Sequence, residues 1–247
     1  MKILLNIGNT YTESAFGKAG ELSGHDRLFT KRILTTGRCP MLDASPLPAL
    51  VCSVVPEAVV ALRATYGAAR ISLLTPELAS GIDLSCVDAT TVGADRLANT
   101  VAARNLVHGA VIVLDCGTAI TTEAVDAKGV FRGGAILPGR ALQRRALHEH
   151  TAQLPEVSLE GARPPGIGVN TDAAIRAGID VGVLGAVERL VSETRVLLGA
   201  PECTVLATGG DAGYFLENLS SLTAAPPYLT LRGLALVADA GRGLGDG

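Results

Sequence analysis

Two short stretches of the chain share a pattern of residue types that could bind phosphate. The first is LLNIGNTYT, Leu4–Thr12, and the second is VLDCGTAITT, Val113–Thr122. In each, an apolar run ends in an amide or a carboxylate, and a glycine and small polar residues follow. Glycine lets the backbone turn tightly and lets a ligand approach the main chain. Hydroxyl groups beside exposed backbone N–H groups can then hold phosphate oxygens, while a carboxylate organises a metal ion or its water.

A third stretch adds a candidate for nucleotide binding. VLATGGDA, Val205–Ala212, is an apolar run that enters a Gly-Gly turn, where a flat adenine ring could lie close to the backbone. Taken alone, each stretch is better explained as an ordinary hairpin turn or a helix-capping loop. The repetition at the ends of two apolar runs favours nucleotide binding. The ATP-binding candidates are Asn6, Gly8, Asn9, Thr10, Gly117, Thr118, Thr121, Gly209 and Gly210.

The composition excludes several classes of protein. The 247 residues are enough for one large domain or two modest ones, and 48% of them are hydrophobic, so a sizeable core can form. A net charge of −3, with 3% aromatic residues and no tryptophan, argues against a nucleic-acid partner. The five scattered cysteines contain no C-x-x-C, so we expect buried free thiols in a reducing cytosol.

The sequence also argues against targeting to a membrane. The N-terminal MKILLNIGNT lacks the long apolar core and the small-residue cleavage site of a signal peptide. No window approaches the roughly 18 uninterrupted apolar residues that a spanning helix needs. We therefore expect a cytoplasmic protein without a membrane partner.

Apolar strands and helices alternate along the chain, which predicts an α/β fold. The repeated strand-turn-strand predicts two lobes of related build, residues 1–110 and 111–247, each beginning with a strand that turns sharply at glycine. Two Gly-, Pro- and Ser-rich pieces, Arg38–Pro48 and Glu160–Gly168, are predicted as surface loops. The predicted strands are Ile3–Ile7, Ala49–Val55, Ile71–Leu74, Ala110–Asp115, Thr121–Val125, Gly134–Leu137 and Thr204–Thr208. The predicted helices are Ala94–Val107, Arg140–His150, Thr171–Leu198 with a break near Gly178 to Gly185, Asp211–Asn218 and Leu231–Gly241.

The order of two phosphate turns and a Gly-Gly turn resembles the superfamily of acetate kinase, sugar kinases and actin. At family level the sequence resembles type III pantothenate kinase, and the motifs run in the family order over nearly the whole chain. They are GNT near the start, SVVP at Ser53–Pro56, GADRLAN at Gly93–Asn99, DCGTAIT at Asp115–Thr121, GGAILPG at Gly133–Gly139, TAQLP at Thr151–Pro155, GVNTDAAIRAG at Gly168–Gly178 and ATGGDA at Ala207–Ala212.

The resemblance implies a fold and a reaction. The fold would be two ribonuclease H-like lobes of the actin-like ATPase type, each a mixed sheet flanked by helices, with ATP between them. The reaction would be the ATP-dependent phosphorylation of pantothenate to 4′-phosphopantothenate, the first step of coenzyme A biosynthesis. ATP would be the phosphate donor, with Mg²⁺ and a monovalent cation, K⁺ or NH₄⁺. The protein would be a homodimer whose pantothenate pocket lies near the interface.

The resemblance also implies roles for individual residues. Asp95 matches the catalytic residue that meets the acceptor hydroxyl, and Asp115 matches the ligand of the monovalent cation. Gly93, Ala94 and Arg96 match substrate-binding positions in the GADR motif; we expect Arg96 to hold the substrate carboxylate. Thr171 matches a substrate contact. From position alone, Asp95 and Arg96 would equally suit a helix cap followed by a surface charge.

This sequence departs from the family pattern at four positions. Asn6 stands where the family has Asp, which removes an anionic oxygen ligand and should weaken Mg²⁺ binding. Cys86, Ala89 and Ile120 stand where the family often has Tyr, Pro and Thr. Three outcomes stay open: an active kinase with altered cation affinity, a kinase for another small hydroxy acid, or a paralogue that binds nucleotide as a sensor or regulator.

Other polar residues carry weaker signals. His148 and His150 are two apart and would point in different directions on a helix, so we expect surface or interface positions rather than a metal site. Asp88 and Glu123 are lone acids expected to be solvated, although Glu123 could support the second turn. The nearly charge-free Val181–Ala186 stretch would suit either an interface helix or an internal core helix.

Overall fold

The computed structural model describes residues 1–18, 20–79, 81–161 and 163–240. The chain divides into two compact units, and each is a mixed sheet with helices, as predicted for the fold class. The first unit comprises Met1–Gly109, Val125–Gly133 and the described part of Pro226–Gly247; the second comprises Ala110–Ala124 and Gly134–Ala225. Within the described residues, every helix is too short or too polar to cross a lipid bilayer.

The strands and helices have the following bounds. The strands are β1 (Lys2–Ile7), β2 (Tyr11–Lys18), β3 (Glu21–Phe29), β4 (Ala49–Ser53), β5 (Ile71–Leu73), β6 (Val111–Cys116), β7 (Ala119–Val125), β8 (Phe131–Gly133), β9 (Ile136–Pro138), β10 (Thr204–Thr208) and β11 (Thr223–Ala224). The helices are α1 (Thr30–Thr36), α2 (Pro40–Ala44), α3 (Pro56–Tyr66), α4 (Ala94–Leu106), α5 (Arg140–Glu149), α6 (Thr171–Arg176), α7 (Gly182–Leu198), α8 (Ala212–Asn218) and α9 (Leu229–Asp239).

The sheet of the first unit has the strand order β3-β2-β1-β4-β5, with β1 antiparallel to β2 and parallel to β4. Strand β1 is apolar on both faces because both faces are covered. Ile3 and Leu5 belong to one hydrophobic core and Leu4 belongs to another, and all three side chains are fully buried. The strand therefore ends at a fixed position, with its last residues at the start of the first glycine turn.

Helix α4 of the first unit is held by close packing against the C-terminal helix α9. Gly233 of α9 lies so close to the carbonyl oxygen of Ala98 in α4 that a Cβ atom at this position would overlap it. Beside this contact, the buried Thr230 hydroxyl donates to Asn99 Oδ1 at 2.8 Å. Asn99 ends the GADRLAN motif, so this part of the motif joins α4 to α9.

The sheet of the second unit contains the order β11-β10-β6-β7, with β10 parallel to both β6 and β11, and β9 antiparallel to β7. Ile112 and Leu114 of β6 and Ile120 of β7 pack against Val183 and Val187 of α7. Because Val183 lies in this core, the structure favours the core interpretation of Val181–Ala186. Burial of Ile120 also means that this departure from the family pattern lies on the core face of β7.

Three expectations for individual segments need correction. Residues Arg38–Pro48 were expected to form a surface loop, but α2 begins at Pro40, and Met41 and Leu42 are buried. The helix expected to break between Gly178 and Gly185 instead continues from α6 to α7 through one wider, π-helical turn at Ala177–Val181. All five cysteines are free thiols and four are buried as expected, but Cys86 is exposed.

Candidate functional site

The first glycine turn connects β1 to β2 and is braced by the start of α1. The Gly8 N–H group donates to the Tyr11 carbonyl at 2.9 Å, which closes the turn. The Thr30 hydroxyl donates to the Gly8 carbonyl at 2.7 Å, and the Thr30 N–H group donates to the Thr10 carbonyl at 2.9 Å. Asn9 and Thr10 are exposed at the tip. The turn therefore has a fixed backbone and an accessible polar tip, as a phosphate contact requires.

Asn6 has a carboxylate as its direct cross-strand neighbour. In the antiparallel register of β1 and β2, Asn6 is paired with Glu13, and both residues are partly buried. Directly opposed residues point to the same face of the sheet with Cβ atoms about 5 Å apart. Asn6 thus has a carboxylate neighbour on the same face, Glu13, which the sequence alone did not indicate because the pairing register depends on tertiary structure.

The GADR motif forms the N-terminus of α4. Gly93 is the cap residue, Ala94 begins the helix, and Asp95 follows in the first turn. Asp95 Oδ1 accepts from the Arg96 N–H group at 2.8 Å, and a Cβ atom on Gly93 would lie 2.6 Å from that same carboxylate oxygen. Gly93 therefore makes room for the carboxylate. The Arg96 guanidinium lies 5.9 Å from the ring of Phe131 and is partly buried.

The second glycine turn, Gly117–Thr118, connects β6 to β7 and is packed against Gly139. The Gly117 N–H group donates to the Ala119 carbonyl at 3.0 Å, and the Gly139 N–H group donates to the Thr118 carbonyl at 2.9 Å. A Cβ atom on Gly139 would overlap the Gly117 carbonyl oxygen. Only glycine fits at this position, which explains why the GGAILPG motif ends in glycine.

The Gly-Gly turn after β10 lies against the end of β6. In the parallel register Thr208 is paired with Asp115, and Gly209 follows with a φ of +94°. A Cβ atom on Gly209 would lie 2.5 Å from Asp115 Oδ1 and 2.5 Å from the Cys116 carbonyl oxygen. The Cys116 carbonyl also accepts from the Asp211 N–H group at 2.9 Å. The structure thus brings Asp115 and Gly209 into direct contact.

A buried cluster of charges joins α5, the π-helical turn and the Gly-Gly turn. Arg140 donates from Nε to Asp211 Oδ2 at 2.8 Å and from Nη2 to Asp211 Oδ1 at 2.6 Å, a two-bond contact. Its Nη1 donates to Asp180 Oδ1 at 3.2 Å, and Arg144 Nη2 donates to the same oxygen at 2.5 Å. Tyr214 donates from its hydroxyl to the Asp180 carbonyl at 2.8 Å and lies under the Arg140 guanidinium, 3.5 Å from carbon to ring centroid.

The charges in this cluster balance in sign. Burial disfavours the charged form of Arg140, but the hydrogen bonds and attraction of Asp211 and Asp180 outweigh burial, so the pKa of Arg140 is raised. Burial and the Asp180 carboxylate likewise raise the pKa of Tyr214, which stays a neutral donor. Sequence reasoning missed these residues; the i, i+4 spacing of Arg140 and Arg144 was the one local signal.

Thr171 lies at the start of α6, on the wall of a cavity of about 580 Å³. The cap residue Asn170 accepts from the Ala173 N–H group at 2.8 Å through its side chain. A Cβ atom on Gly168 would overlap the backbone of Ala174. The exposed polar residue Thr171 is thus held by a capped helix. The cavity is lined by Leu147, Leu154, Gly168, Val169, Asn170, Thr171, Ala174, Ile175, Gly178 and Ile179.

The donor atoms near Asp115 suit a cation with oxygen ligands. An Asp115 carboxylate oxygen and the Cys116 carbonyl oxygen both lie close to the backbone of Gly209, and hard cations take oxygen ligands of these two kinds. Among the described residues no group of three His, Cys, Asp or Glu side chains could hold a metal. Burial beside Asp115 raises the pKa of the Cys116 thiol, which keeps it protonated.

The structure groups the candidate residues of each unit separately. In the first unit, Asn6, Gly8, Asn9 and Thr10 lie in one hairpin, while Gly93, Ala94, Asp95 and Arg96 lie at the start of α4. In the second unit, Asp115, Gly117, Thr118, Gly209 and Gly210 surround the end of β6. Thr121 lies on β7, paired with Ile136 of β9, and Thr171 lies apart on α6.

The residues with weaker sequence signals fall outside these groups. His148 is exposed and hydrogen-bonds through Nδ1 to the Leu154 carbonyl at 2.9 Å. Asp88 is exposed as expected and caps a short turn by accepting from the Thr90 N–H group. Glu123 is fully buried, so the expectation of a solvated position was wrong.

The sequence is similar to a known protein family and to individual known proteins. Residues 2–193 match the model of the family described as type III pantothenate kinase. A type III pantothenate kinase from Rubrobacter xylanophilus is 34% identical over 261 residues, which cover 96% of this chain and 97% of the relative.

Two solved structures share the fold. A Baf family protein from Campylobacter jejuni has a TM-score of 0.63 at 19% identity, covering 96% of this chain and 98% of the other. The ethanolamine utilization protein EutJ from Carboxydothermus hydrogenoformans has a TM-score of 0.56 at 14% identity, covering 96% of this chain and 89% of the other. At these identities the likeness shows the fold alone.

Proposed function

Because this chain belongs to the type III pantothenate kinase family, we propose that the residues described above carry out the family's reaction. The activity is the ATP-dependent phosphorylation of pantothenate to 4′-phosphopantothenate, the first step of coenzyme A biosynthesis. The observation that carries the assignment of the site is the GADR motif at the N-terminus of α4, where Gly93 leaves the space that the Asp95 carboxylate occupies.

Asp95 is the catalytic base of this proposal. Its carboxylate accepts the proton of the pantothenate 4′-hydroxyl as the oxygen attacks the γ-phosphorus of ATP, and ADP leaves. Arg96 binds the carboxylate of pantothenate through a charge-assisted contact. Gly93, Ala94 and Thr171 bind the rest of the substrate; in support of Thr171, the cavity that it lines is largely apolar and bears few polar groups.

The two glycine turns and the Gly-Gly turn bind ATP. Asn6, Gly8, Asn9 and Thr10 contact phosphate oxygens from the first turn. Gly117, Thr118 and Thr121 do so from the second, and Gly209 and Gly210 contact the adenine. Phosphoryl transfer needs little covalent chemistry from the protein, so fixed backbone turns supply much of what it requires.

Asp115 is the ligand of the monovalent cation, K⁺ or NH₄⁺; in support, its carboxylate lies near a second oxygen ligand, the Cys116 carbonyl. Mg²⁺ accompanies ATP near Asn6, where Glu13 contributes the nearby negative charge. When bound, these cations neutralise the charge that develops on the phosphoryl oxygens during transfer. We further propose that the protein acts as a homodimer in the cytoplasm.

Two alternatives rest on specific residues. Asn6 favours a nucleotide-binding sensor or regulator without turnover, because one anionic ligand is missing. Cys86 and Ala89 favour a different small hydroxy acid, because they change the segment that leads into the GADR motif. In this segment the exposed Cys86 sulfur lies 3.6 Å from Arg132 Nη1.

A coupled ADP-release assay tests the proposal. ADP should form with pantothenate and ATP, and the rate should increase when K⁺ or NH₄⁺ replaces Na⁺. ATP binding without ADP release under any cation would favour the sensor. Release with other hydroxy acids, but not with pantothenate, would indicate a changed substrate.

A further inference from the structure

We propose that Arg140 is a positioning residue that holds the two nucleotide-binding turns of the second unit in register with the helix that begins at Thr171. The inference rests on the proposed function, because it assumes that Gly117–Thr118 and Gly209–Gly210 bind ATP. It assigns a role to a residue that contacts neither ATP nor pantothenate in that proposal. Three contacts at the start of α5 join it to the second glycine turn, to the Gly-Gly turn and to the π-helical turn.

The first contact is made by the backbone immediately before Arg140. Gly139 donates its N–H group to the Thr118 carbonyl at 2.9 Å, and no side chain fits between position 139 and the Gly117 carbonyl. The start of α5 therefore lies directly against the second glycine turn. The Arg140 side chain leaves the helix from a backbone position that this turn determines.

The second contact is the two-bond contact with Asp211. Asp211 follows Gly209–Gly210 directly, and its own N–H group donates to the Cys116 carbonyl at 2.9 Å. With the carboxylate held at 2.6 and 2.8 Å by two nitrogens of one planar guanidinium, the residue cannot rotate without losing both bonds. Arg140 thereby fixes the exit of the Gly-Gly turn relative to the glycine turn at the end of β6.

The third contact is with Asp180 on the π-helical turn. Asp180 is 2% exposed, and its Oδ1 accepts from both Arg140 and Arg144. A π-helical turn is rare and is frequently found at functional sites. Asp180 lies in this turn, between α6 and α7, and therefore on the same continuous helix as Thr171. The contact joins the substrate-binding helix to α5.

Arginine is required for the second and third contacts, which the Arg140 side chain makes. A lysine at position 140 keeps the positive charge but offers a single nitrogen, so it cannot hold both oxygens of Asp211 and reach Asp180 at the same time. The Arg140→Lys variant should therefore loosen the Gly-Gly turn while the buried charges stay balanced. Arg144→Lys is the matched control: Arg144 is equally buried, lies one helical turn away and contacts Asp180 and the Ser158 carbonyl, but does not contact Asp211 in the described hydrogen bonds.

The experiment measures the Kd for a non-hydrolysable ATP analogue by calorimetry, the KM for ATP and for pantothenate, and the melting temperature. Arg140→Lys should raise the Kd for the analogue and the KM for ATP tenfold or more. The KM for pantothenate should stay within threefold of wild type, because Arg144 still holds Asp180 on the helix that carries Thr171. Asp211→Asn should raise the same two constants. The double variant should raise them no further than either single variant, because all three proteins lose the same contact between positions 140 and 211. Arg144→Lys should lower the melting temperature while the nucleotide Kd stays within twofold.

Two results would overturn the inference. An Arg140→Lys variant that melts earlier but keeps the wild-type nucleotide Kd would reduce Arg140 to a structural role. Equal increases in that Kd for Arg140→Lys and Arg144→Lys would show that the effect is unspecific loss of packing. Failure of the proposed function is distinguishable, because it would appear as a wild-type protein that binds the analogue yet releases no ADP with pantothenate.

Discussion

At the scale of single residues, the site depends on where the backbone leaves room for a charge. The Asp95 carboxylate occupies space that a side chain at Gly93 would take, and Asp115 Oδ1 lies against Gly209, where a Cβ atom would be 2.5 Å away. In both places a glycine next to a carboxylate is explained by the space that the carboxylate occupies. A side chain at either glycine would have to displace the carboxylate oxygen beside it.

The Asp95→Asn variant tests the proposed role of Asp95 as the general base. The amide cannot accept the hydroxyl proton, and loss of general base catalysis typically costs about 10²–10⁴-fold. We expect kcat to fall at least 100-fold, with the KM values for ATP and pantothenate within threefold, in a coupled ADP-release assay. Asp88→Asn, at an exposed turn-capping position, is the control and should keep wild-type kcat. A kcat reduced less than tenfold by Asp95→Asn would show that another group takes the proton.

The Asn6→Asp and Glu13→Gln variants test the proposed binding of Mg²⁺ near these two residues. Because the two side chains are direct cross-strand neighbours, one acid at position 13 should offset the amide at position 6. The concentration of Mg²⁺ that gives half-maximal rate should fall severalfold for Asn6→Asp and rise at least fivefold for Glu13→Gln. Glu21→Gln, exposed on the edge strand β3, is the control. An unchanged Mg²⁺ dependence for Glu13→Gln would remove Glu13 from the site.

At the scale of secondary-structure elements, close contacts at glycine hold two helices directly against neighbouring backbone. Helix α4, which carries Asp95, touches α9 at Gly233, and α5, which carries Arg140, touches the second turn at Gly139. Neither contact has a side chain that could adjust. A methyl group in such a place would displace a whole helix and the site residue it carries.

Gly233→Ala tests the contact between α9 and α4. The added Cβ atom would overlap the Ala98 carbonyl, and overpacking of a core typically costs about 1–3 kcal/mol. We expect the free energy of unfolding to fall by about 2 kcal/mol in urea, and kcat/KM to fall as Asp95 shifts. Gly185→Ala, on α7 with open space around it, should instead stabilise the protein by up to about 1 kcal/mol. Equal stability of the two variants would contradict the close contact.

At the scale of the whole molecule, exposed apolar residues of the second unit bear on assembly. Ile167 and Val169, just before α6, are 80% and 95% exposed, and Val169 also lines the cavity beside Thr171. Exposed apolar patches at a ligand cavity are typical of interaction surfaces. They support the proposal of a homodimer whose pantothenate pocket lies near the interface.

Val169→Glu tests this assembly. A buried, unpaired charge in an interface is unfavourable, so the variant should sediment as a monomer of 25.3 kDa while the wild type sediments at twice that mass. The KM for pantothenate should rise at least fivefold in the variant. Leu197→Glu, at an exposed position near the end of α7, is the control and should stay dimeric. A monomeric wild type would refute the dimer.

Several parts of the fold and site follow from short-range features of the sequence. The apolar runs at β1, β6 and β10, each ending near a glycine, predicted the strands and turns at the observed positions. The start of α4 at Ala94, in the GADR motif, was also predicted at the observed residue. Helix α2 was missed because its proline and serine neighbours favour a loop locally, while burial of Met41 and Leu42 stabilises a helix.

The sequence by itself determined the family, the α/β class and the turns, because glycine and apolar spacing act on the backbone within a few residues. Tertiary structure alone decided that Glu13 faces Asn6, that α9 packs on α4, and that Arg140 reaches Asp211, 71 positions away. Strand register and helix packing depend on contacts between distant segments, and no local preference specifies which distant charge a buried side chain will meet.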